Sequence, residues 1–383
     1  MINRLIKTPS QSFFLFGPRG TGKSTWVAER YPRAERIDLL DDGIFREFSA
    51  NPNRLLSVVR GAPSRGTFVI DEVQKIPALL SLVHLLIEEK KGWSFVLTGS
   101  SARKLKRSGV DLLGGRALLC QMHPFMAAEL GEKFNLEKAL QTGLLPLVWD
   151  SPEPKKVLSA YIGLYLREEV KMEGLVRRVE DFSHYLETMA FSHGSMLNLS
   201  NVARETHVKR STIDSYAEIV EDLLLSFRVS VFTKRAKREL VGHDKFYYFD
   251  TGVYQALRRR GPFDNPGEIQ GQALEGMVAQ HLRAWNSYGD NEHEISYWRT
   301  RWGVEVDFVV YGPSGIWALE VKSSDRVRSE DLKGLNIFLD DYPQSEGILL
   351  YCGARRLKEG RVHCLPIDDF LRALRPNKEL LHR

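Results

Sequence analysis

The chain has 383 residues, of which 43% are hydrophobic and 27% charged, and its formal net charge is +5. This length predicts two or three compact units, and the composition is typical of a globular protein. No apolar run is long enough to cross a bilayer and the first residues lack a signal-peptide pattern, so we expect a cytoplasmic protein with no membrane partner. The modest charge permits a nucleic-acid partner without requiring one.

Residues 1–150 alternate between apolar runs and helical patterns. The runs SFFLFG, GTFVIDEVQ and WSFVLTGSS end in polar residues, whereas KSTWVAERY and LLSLVHLLIEEKK have helical spacing. Strands that alternate with helices form a parallel sheet, and functional residues collect at the carboxyl ends of its strands. This part of the chain therefore predicts an α/β domain with a site at one sheet edge.

The turn after the first strand has the spacing of a phosphate-binding loop, with Gly17, four further residues, Gly22, Lys23 and Ser24. In such a loop, backbone N–H groups and the helix N-terminus hold the phosphates. Lys23 can reach the β and γ oxygens, and the Ser24 hydroxyl can bind magnesium. The sequence thus predicts ATP and Mg²⁺ as cofactors. The predicted cofactor-binding residues are Gly17, Pro18, Arg19, Gly20, Thr21, Gly22, Lys23, Ser24 and Thr25.

A second apolar strand ends in Asp71 and Glu72. In phosphate-loop ATPases, an acid at this position helps to hold the magnesium ion, so we expect Asp71 to be a metal ligand together with Ser24. Glu72 is placed to polarise the attacking water. An Asp-Glu pair after a strand is otherwise typical of a solvated turn, but the preceding phosphate loop favours the functional interpretation.

The motifs GPRGTGKST, VIDEVQK, VLTGSS and LLGGRA occur in this order, and with them residues 1 to about 150 resemble an AAA-plus ATPase module. The resemblance implies that Ser100, with Thr98 as the alternative, senses the γ-phosphate. It also implies that Arg116 is an arginine finger supplied by a neighbouring subunit, and hence a homo-oligomer, either a ring or a dimer. The alternative for Arg116 is an ordinary surface arginine.

Residues 151–260 begin near WDSPEPKK, which predicts a linker or a helix start. The stretch LNLSNVARETHVKRSTIDSYAEIVEDLLL has the pattern of a helix-turn-helix, and the β-rich runs around the basic turn of RVSVFTKRAKREL predict a wing. We expect DNA as the partner, although each basic cluster taken alone is typical of a solvated face. The predicted nucleic-acid-binding residues are Lys209, Arg210, Lys234, Arg235, Lys237 and Arg238.

The C-terminal part contains a second set of charged residues on predicted strands. Asp307 lies in VEVDFVV, and Glu320 and Lys322 lie two residues apart in ALEVKSS, so strand alternation points them to one face. Two such carboxylates can bind magnesium, and Lys322 can orient water or neutralise a phosphate. Glu275, on the preceding helix, can add a further acid. The alternative is that Glu320 and Lys322 form a surface ion pair on an edge strand.

These acids, with the order helix, strand, strand, helix, strand, resemble the Asp, Glu-x-Lys core of restriction-endonuclease-like nucleases of the PD-(D/E)XK type. The resemblance implies catalytic roles for them, with a metal ion held by Asp307 and Glu320. Val306 stands where that family often has a proline. Glu305 is expected to point the same way as Asp307, as a supporting residue.

Taken in order, the segments resemble a prokaryotic family of AAA-plus ATPases with a nuclease-like C-terminal domain. The prediction is an α/β chain with a P-loop AAA-plus sheet over residues 1–150, a helical and winged-helix-like region over 151–260, and a restriction-endonuclease-like domain over 261–383. The expected function is a Mg²⁺- and ATP-dependent ATPase that acts on DNA and cleaves phosphodiesters, such as those of branched or broken DNA. The alternative is a regulatory ATP-binding switch whose nuclease-like fold is an inactive scaffold for DNA or protein.

Overall fold

The computed structural model describes residues 2–101, 103, 105, 113–166, 178–234 and 242–381, without the side chains of residues 164–166. The chain forms two compact units, each described by itself below. The N-terminal unit comprises Ile6–His123 and Val220–Leu224, and the C-terminal unit comprises Met1–Leu5, Pro124–Ile219 and Leu225–Arg383. The α/β class expected from the sequence is confirmed. The division into three domains stays a prediction.

The N-terminal unit is built on a parallel sheet. Its described strands are Phe13–Phe16 (β1), Glu35–Asp38 (β2), Thr67–Asp71 (β3), Ser94–Gly99 (β4) and Leu118–Gln121 (β5). Its helices include Lys23–Arg30 (α1), Asp42–Ala50 (α2), Arg54–Gly61 (α3) and Leu79–Glu88 (α4). The strand order is β2-β3-β4-β1-β5 and these pairings are all parallel, so the carboxyl ends of β1, β3 and β4 lie side by side.

The central strands of this sheet are buried on both faces, which explains their continuous apolar sequences. All four residues of β1 are buried, and Phe68 of β3 stacks on Phe95 of β4 with ring centroids 5.6 Å apart. Helical residues such as Leu79 and Val83 complete the core. The packed strands hold the polar residues that follow them at one edge.

The described helices of the C-terminal unit are four to 23 residues long, and several of them lie between strands of its sheet in the chain. They are Ala127–Leu130 (α5), Leu136–Thr142 (α6), Pro146–Trp149 (α7), Pro154–Ala160 (α8), Val179–Ala190 (α9), Leu199–Thr206 (α10), Arg210–Asp222 (α11), Thr251–Leu257 (α12), Pro266–Tyr288 (α13), Lys333–Asp341 (α14) and Ile367–Ala373 (α15). The last residues of α11, from position 220, belong to the N-terminal unit. Within the described ranges, no helix combines the length and the apolar character that crossing a membrane requires.

The strands of the C-terminal unit form a mixed sheet. They are Ser195–Met196 (β6), Ser226–Val231 (β7), Lys245–Tyr248 (β8), Glu294–Arg299 (β9), Glu305–Gly312 (β10), Gly315–Lys322 (β11), Glu346–Tyr351 (β12), Leu357–Glu359 (β13) and Val362–Pro366 (β14). Their order is β13-β14-β12-β11-β10-β9-β7-β8-β6. The antiparallel strands β7 and β8 are those for which the sequence predicts a wing, and here parallel pairing of β7 with β9 makes them part of the larger sheet.

Candidate functional site

The phosphate loop is a tight turn between β1 and α1. Gly20 and Gly22 have φ angles of 80° and 89°, in the region that glycine adopts without steric cost. The Thr21 hydroxyl donates a hydrogen bond of 2.7 Å to the Pro18 carbonyl and so fixes the turn. A side chain on Gly17 would collide with the backbone carbonyl of Met122. The glycines of the motif are therefore required by the geometry of the loop itself.

Lys23 is bonded to the loop that precedes it. Its ammonium group donates hydrogen bonds of 2.6 Å to the Gly17 carbonyl and 3.2 Å to the Pro18 carbonyl, and the residue is buried. Ser24 and Thr25, in the first turn of α1, are exposed. Hydroxyl and carboxylate oxygens are ligands that Mg²⁺ prefers, and an ammonium group with backbone amides suits phosphate. The residues present thus fit a magnesium nucleotide.

The carboxyl ends of β3 and β4 bring the predicted acids and sensors next to this loop. In the register between β1 and β4, Phe16 pairs with Gly99, so Ser100 follows β4 where Gly17 follows β1. The Thr98 hydroxyl instead donates a hydrogen bond to the Asp71 carboxylate. Thr98 therefore orients the predicted magnesium ligand, and Ser100 is the predicted sensor that lies in line with the phosphate loop.

Gln74 links the predicted catalytic acid to the predicted sensor, a role that sequence analysis missed. Its side-chain amide donates hydrogen bonds to the Glu72 carboxylate and, at 3.4 Å, to the Ser100 hydroxyl. Its carbonyl oxygen is buried without a hydrogen-bond partner among the described residues. Glu72 itself has a φ of 57°, which turns the chain sharply after β3. The sequence feature that could have indicated this role is the polar Gln74, three residues after Asp71 in IDEVQK.

Arg116 lies at the amino-terminal ends of the strands of the N-terminal sheet, whereas the phosphate loop lies at their carboxyl ends. It precedes β5, whose residue Leu118 pairs with Phe13 at the start of β1. Its side chain forms an ion pair with Glu88, at the end of α4, and this pair holds the pKa of the Glu88 carboxyl below its usual value. Arg116 thus cannot serve the loop of its own chain, and its role as a finger for another chain stays a prediction.

The predicted acids of the C-terminal unit lie on neighbouring central strands. One Asp307 carboxylate oxygen accepts a hydrogen bond of 2.9 Å from the Val321 amide, and the Lys322 ammonium lies 2.6 Å from the Glu320 carboxylate. Strand β11, between β10 and β12, is internal, and Glu320 is only 9% exposed. The ion pair of Glu320 and Lys322 in the alternative interpretation is thus present, but its placement at the surface on an edge strand is wrong.

Lys245, at the start of β8, lies among the predicted acids and was not singled out by the sequence. Its ammonium nitrogen is 3.0 Å from a Glu275 oxygen and 3.4 Å from an Asp307 oxygen, and it also contacts Glu305. The residue is 2% exposed. The sequence feature that could have indicated this role is the lysine at the start of the aromatic run KFYYF. A charge on a buried strand is costly without partners.

The environment of this cluster shifts the protonation of its members. Burial and then the nearby Asp307 raise the pKa of Glu275 to about 7, and the same two causes raise the pKa of Glu320 to about 8. Burial acts to lower the pKa of Lys245, but its acidic neighbours and Tyr247 outweigh burial and raise that pKa well above its ordinary value. These neighbours therefore favour the protonated, cationic form of Lys245.

The predicted acids of the C-terminal unit do not fit the magnesium ion that the nuclease resemblance implies. Within the part of the chain that the structure describes, no group of three or more His, Cys, Asp or Glu side chains is arranged to hold a metal ion. The ammonium of Lys245 lies between Asp307 and Glu275 instead, and Glu320 is paired with Lys322 through one oxygen, while its other oxygen is buried without a hydrogen-bond partner among the described residues. Metal ligation by Asp307 and Glu320 remains a sequence prediction that this donor set does not support.

The predicted nucleic-acid contacts are only partly described. Helices α10 and α11 follow the predicted helix-turn-helix, with Lys209 exposed in the connection between them. Arg210 forms an ion pair of 2.8 Å with Asp214, and Lys234 one of 2.5 Å with Glu294. The remaining three predicted contacts lie outside the described residues: Arg235, Lys237 and Arg238.

Three family models match successive parts of the chain. Residues 9–131 match an AAA domain, residues 133–264 a domain of unknown function (DUF8612), and residues 270–370 another domain of unknown function (DUF4143). The first match supports a P-loop ATPase of the AAA type. It also supports nucleotide binding by this part of the chain.

Sequence relatives match between 55% and 93% of the chain. Mb2031c of Mycobacterium bovis and Rv2008c of Mycobacterium tuberculosis are each 23% identical over 369 residues, covering 93% of this chain and 80% of theirs. A Haemophilus influenzae protein is 23% identical over 229 residues, covering 55% of this chain and 56% of its own length.

Two solved structures have weak overall similarity. The replication initiator DnaA bound to AMPPCP and single-stranded DNA has a TM-score of 0.27 and 13% identity, covering 56% of this chain and 83% of DnaA. Protein VC1899 from Vibrio cholerae has a TM-score of 0.23 and 10% identity, covering 80% and 88% of the two chains. At these TM-scores neither similarity bears on the function.

We predict that Gly17→Ala weakens binding of magnesium-ATP by about tenfold or more, because a loss of only about 1.4 kcal/mol has that effect. The added methyl group would push the phosphate loop away from Met122. Gly61→Ala is the matched control, since a side chain there meets no atom within 4 Å. Isothermal titration calorimetry on both variants, with circular dichroism to verify folding, measures the difference. Equal affinities in the two folded variants would contradict the prediction.

Proposed function

We propose that the chain is a magnesium- and ATP-dependent AAA-plus ATPase that acts on DNA, and that its C-terminal unit is a scaffold that does not cleave DNA. The observation that carries the first part is the adjacency of the phosphate loop to the ends of β3 and β4, together with the AAA domain match. Magnesium-ATP supplies the phosphoryl group and its metal. The chain supplies binding, orientation and a base.

Each step of the proposed hydrolysis uses a residue with a distinct position. The Lys23 ammonium exchanges its bonds to the loop carbonyls for phosphate oxygens. Glu72 orients the attacking water and accepts its proton, once the Gln74 amide has fixed its carboxylate. Ser100 lies next to the loop, where its hydroxyl can detect the terminal phosphate.

The position of Arg116 favours an oligomer. Because this arginine lies at the amino-terminal ends of the strands, opposite the phosphate loop of its own chain, we propose that it completes the site of another copy of the chain. It is held by an exposed ion pair to Glu88 and a long hydrogen bond of 3.5 Å to the Gly114 carbonyl, and exposed ion pairs are weak. A second subunit can therefore recruit the side chain at little cost. We propose a homo-oligomer, a ring or a dimer, on this basis.

DNA is the proposed partner because basic residues collect on the helix-turn-helix pattern. Lys209 is exposed immediately before α11, and Arg210 forms an exposed ion pair with Asp214 of its own helix. Both side chains can contact phosphates without disturbing the core. The contacts of Lys234 with Glu294 and with the Tyr311 ring make it a weaker candidate than these two.

For the C-terminal unit, two functions follow from the nuclease resemblance: cleavage of phosphodiesters by Asp307, Glu320 and Lys322, or a regulatory role for an inactive fold. The ammonium of Lys245 among the carboxylates favours the second. Cleavage of this kind needs acids that hold a metal ion. Here Asp307 already contacts the ammonium of Lys245, and Glu320 contacts that of Lys322. We therefore propose an ATP-driven switch in which the C-terminal unit binds DNA or protein.

Lys23→Ala is expected to lower ATP turnover by about a hundredfold or more, the scale of removing one transition-state donor. Lys155→Ala removes an exposed lysine from α8 and is expected to leave turnover unchanged. Release of inorganic phosphate from magnesium-ATP measures both. Full turnover by Lys23→Ala would exclude the phosphate loop as the catalytic site.

Lys209→Ala/Arg210→Ala is expected to weaken DNA binding and to make its salt dependence shallower, by roughly 0.9 in the log-log slope for each phosphate that the variant no longer neutralises. The matched control is Lys155→Ala/Lys156→Ala, which removes two adjacent exposed lysines, one of them in an ion pair with Glu153. Fluorescence anisotropy with single-stranded, linear and branched DNA at several salt concentrations gives the slopes. Identical slopes for both double variants would refute the proposed contact.

Wild-type protein is expected to hydrolyse ATP and yet produce no magnesium-dependent cleavage of single-stranded, linear or branched DNA. The physical reason is that Lys245 engages Asp307 and Lys322 engages Glu320, the two carboxylates that a metal ion would need. Gel analysis of each DNA with magnesium and ATP tests this expectation. Cleavage that disappears in Asp307→Asn, Glu320→Gln or Lys322→Ala, with ATP turnover intact, would show that the C-terminal unit is a nuclease after all.

A further inference from the structure

We propose that the ammonium group of Lys245 is the resident cation of the C-terminal acid cluster and excludes divalent metal ions from it. By acid cluster we mean the side chains of Glu275, Glu305 and Asp307. The inference rests on the proposed role of this unit as a scaffold and deepens it. It concerns metal binding rather than cleavage, so the two can fail separately.

The geometry of the ammonium is that of a central cation. Its nitrogen has the three donor hydrogens of a lysine, and it contacts one oxygen from each member of the acid cluster. These oxygens come from a helix, α13, and a strand, β10, so Lys245 joins separate elements. The Tyr297 ring lies 5.4 Å from the same nitrogen and adds a favourable aromatic face.

Each carboxylate also has a protein partner other than Lys245, on the same oxygen in Glu275 and on the second oxygen in Glu305 and Asp307. The Tyr247 hydroxyl donates to Glu275 at 2.6 Å, the Arg299 guanidinium lies 2.7 Å from Glu305, and the Val321 amide donates to Asp307 at 2.9 Å. A metal ion would have to replace Lys245 and compete with these donors. The cluster is thus satisfied by protein groups alone.

Charge repulsion opposes a metal ion beside the ammonium, and the strand pairing of Lys245 opposes its departure. Two cations in one buried site repel strongly because the surroundings screen charge poorly. Moving Lys245 away would leave a buried charge without partners, and breaking a buried pair in this way is strongly destabilising. The backbone of Lys245 is paired on β8 with both β7 and β6. The side chain therefore has no inexpensive route out of the cluster.

The position left by Lys245 is expected to be suited to a divalent cation. With the ammonium in place the three carboxylates are not arranged as a metal site, but its removal would free one oxygen of each to move toward a shared ion. Oxygen is the ligand that Mn²⁺ and Mg²⁺ prefer. Lys245→Met keeps the length and apolar stem of the side chain while it removes the charge. This variant thus converts the proposed exclusion into a measurable gain of binding.

The test is calorimetric titration of the full chain with Mn²⁺ in the absence of nucleotide. Wild-type protein is expected to bind no Mn²⁺ at the acid cluster. Lys245→Met is expected to bind Mn²⁺ there at least tenfold more tightly than the weakest binding that the wild-type titration could detect. Adding Asp307→Asn to Lys245→Met is expected to abolish the gain. Lys245→Arg, which keeps the charge, and Lys156→Ala, which removes a lysine from a surface pair, are the matched controls and should resemble wild type.

Two results would overturn the inference. One is Mn²⁺ binding by wild-type protein that Asp307→Asn abolishes, because the acids would then hold a metal despite Lys245. The other is an absence of Mn²⁺ binding by folded Lys245→Met. If that variant does not fold, the wild-type and Asp307→Asn titrations still decide, and recovery of its folded state on addition of Mn²⁺ would support the inference.

Discussion

A buried ammonium group organises each of the two candidate sites, and its partners decide what the site can do. Burial of a charge is tolerated only where hydrogen bonds replace water. Lys23 is bonded to neutral backbone carbonyls, and such partners are readily exchanged for the stronger acceptors of a phosphate. Lys245 is bonded to carboxylates, and an incoming anion would offer it no stronger acceptor than these. The same chemical group thus suits ligand binding in one unit and internal structure in the other.

The polar residues of the N-terminal site are positioned by strands rather than by one another. Asp71 ends one buried strand and Ser100 follows another, and parallel pairing carries them to the edge at which the phosphate loop begins. The hydrogen bonds from Thr98 and Gln74 then orient individual side chains. Positioning by rigid strands, with side-chain contacts as the finer adjustment, is the arrangement that accurate phosphate chemistry requires.

The sequence was most informative where chemistry depends on local spacing. The phosphate loop, the strand that ends in Asp71, and the neighbouring strands of Asp307 and Glu320 all follow from patterns a few residues long. Contacts between distant segments could not be read in this way. Lys245 meets Asp307 across 62 positions of the chain, and Gln74 meets Ser100 across 26. The parallel pairing of β7 with β9 joins the predicted wing to the C-terminal strands for the same reason.

The two-sided pairing of β8 has a consequence for how permanent the internal cation is. Val229 of β7 and Met196 of β6 both pair with Lys245, so the strand is anchored along each edge. Successive side chains on a strand point to opposite faces, and a slip of one residue would bring Phe246 toward the carboxylates and turn the lysine away. Replacement of the lysine itself is therefore the change that removes the internal cation, whereas sliding the strand would disrupt its pairing with both neighbours.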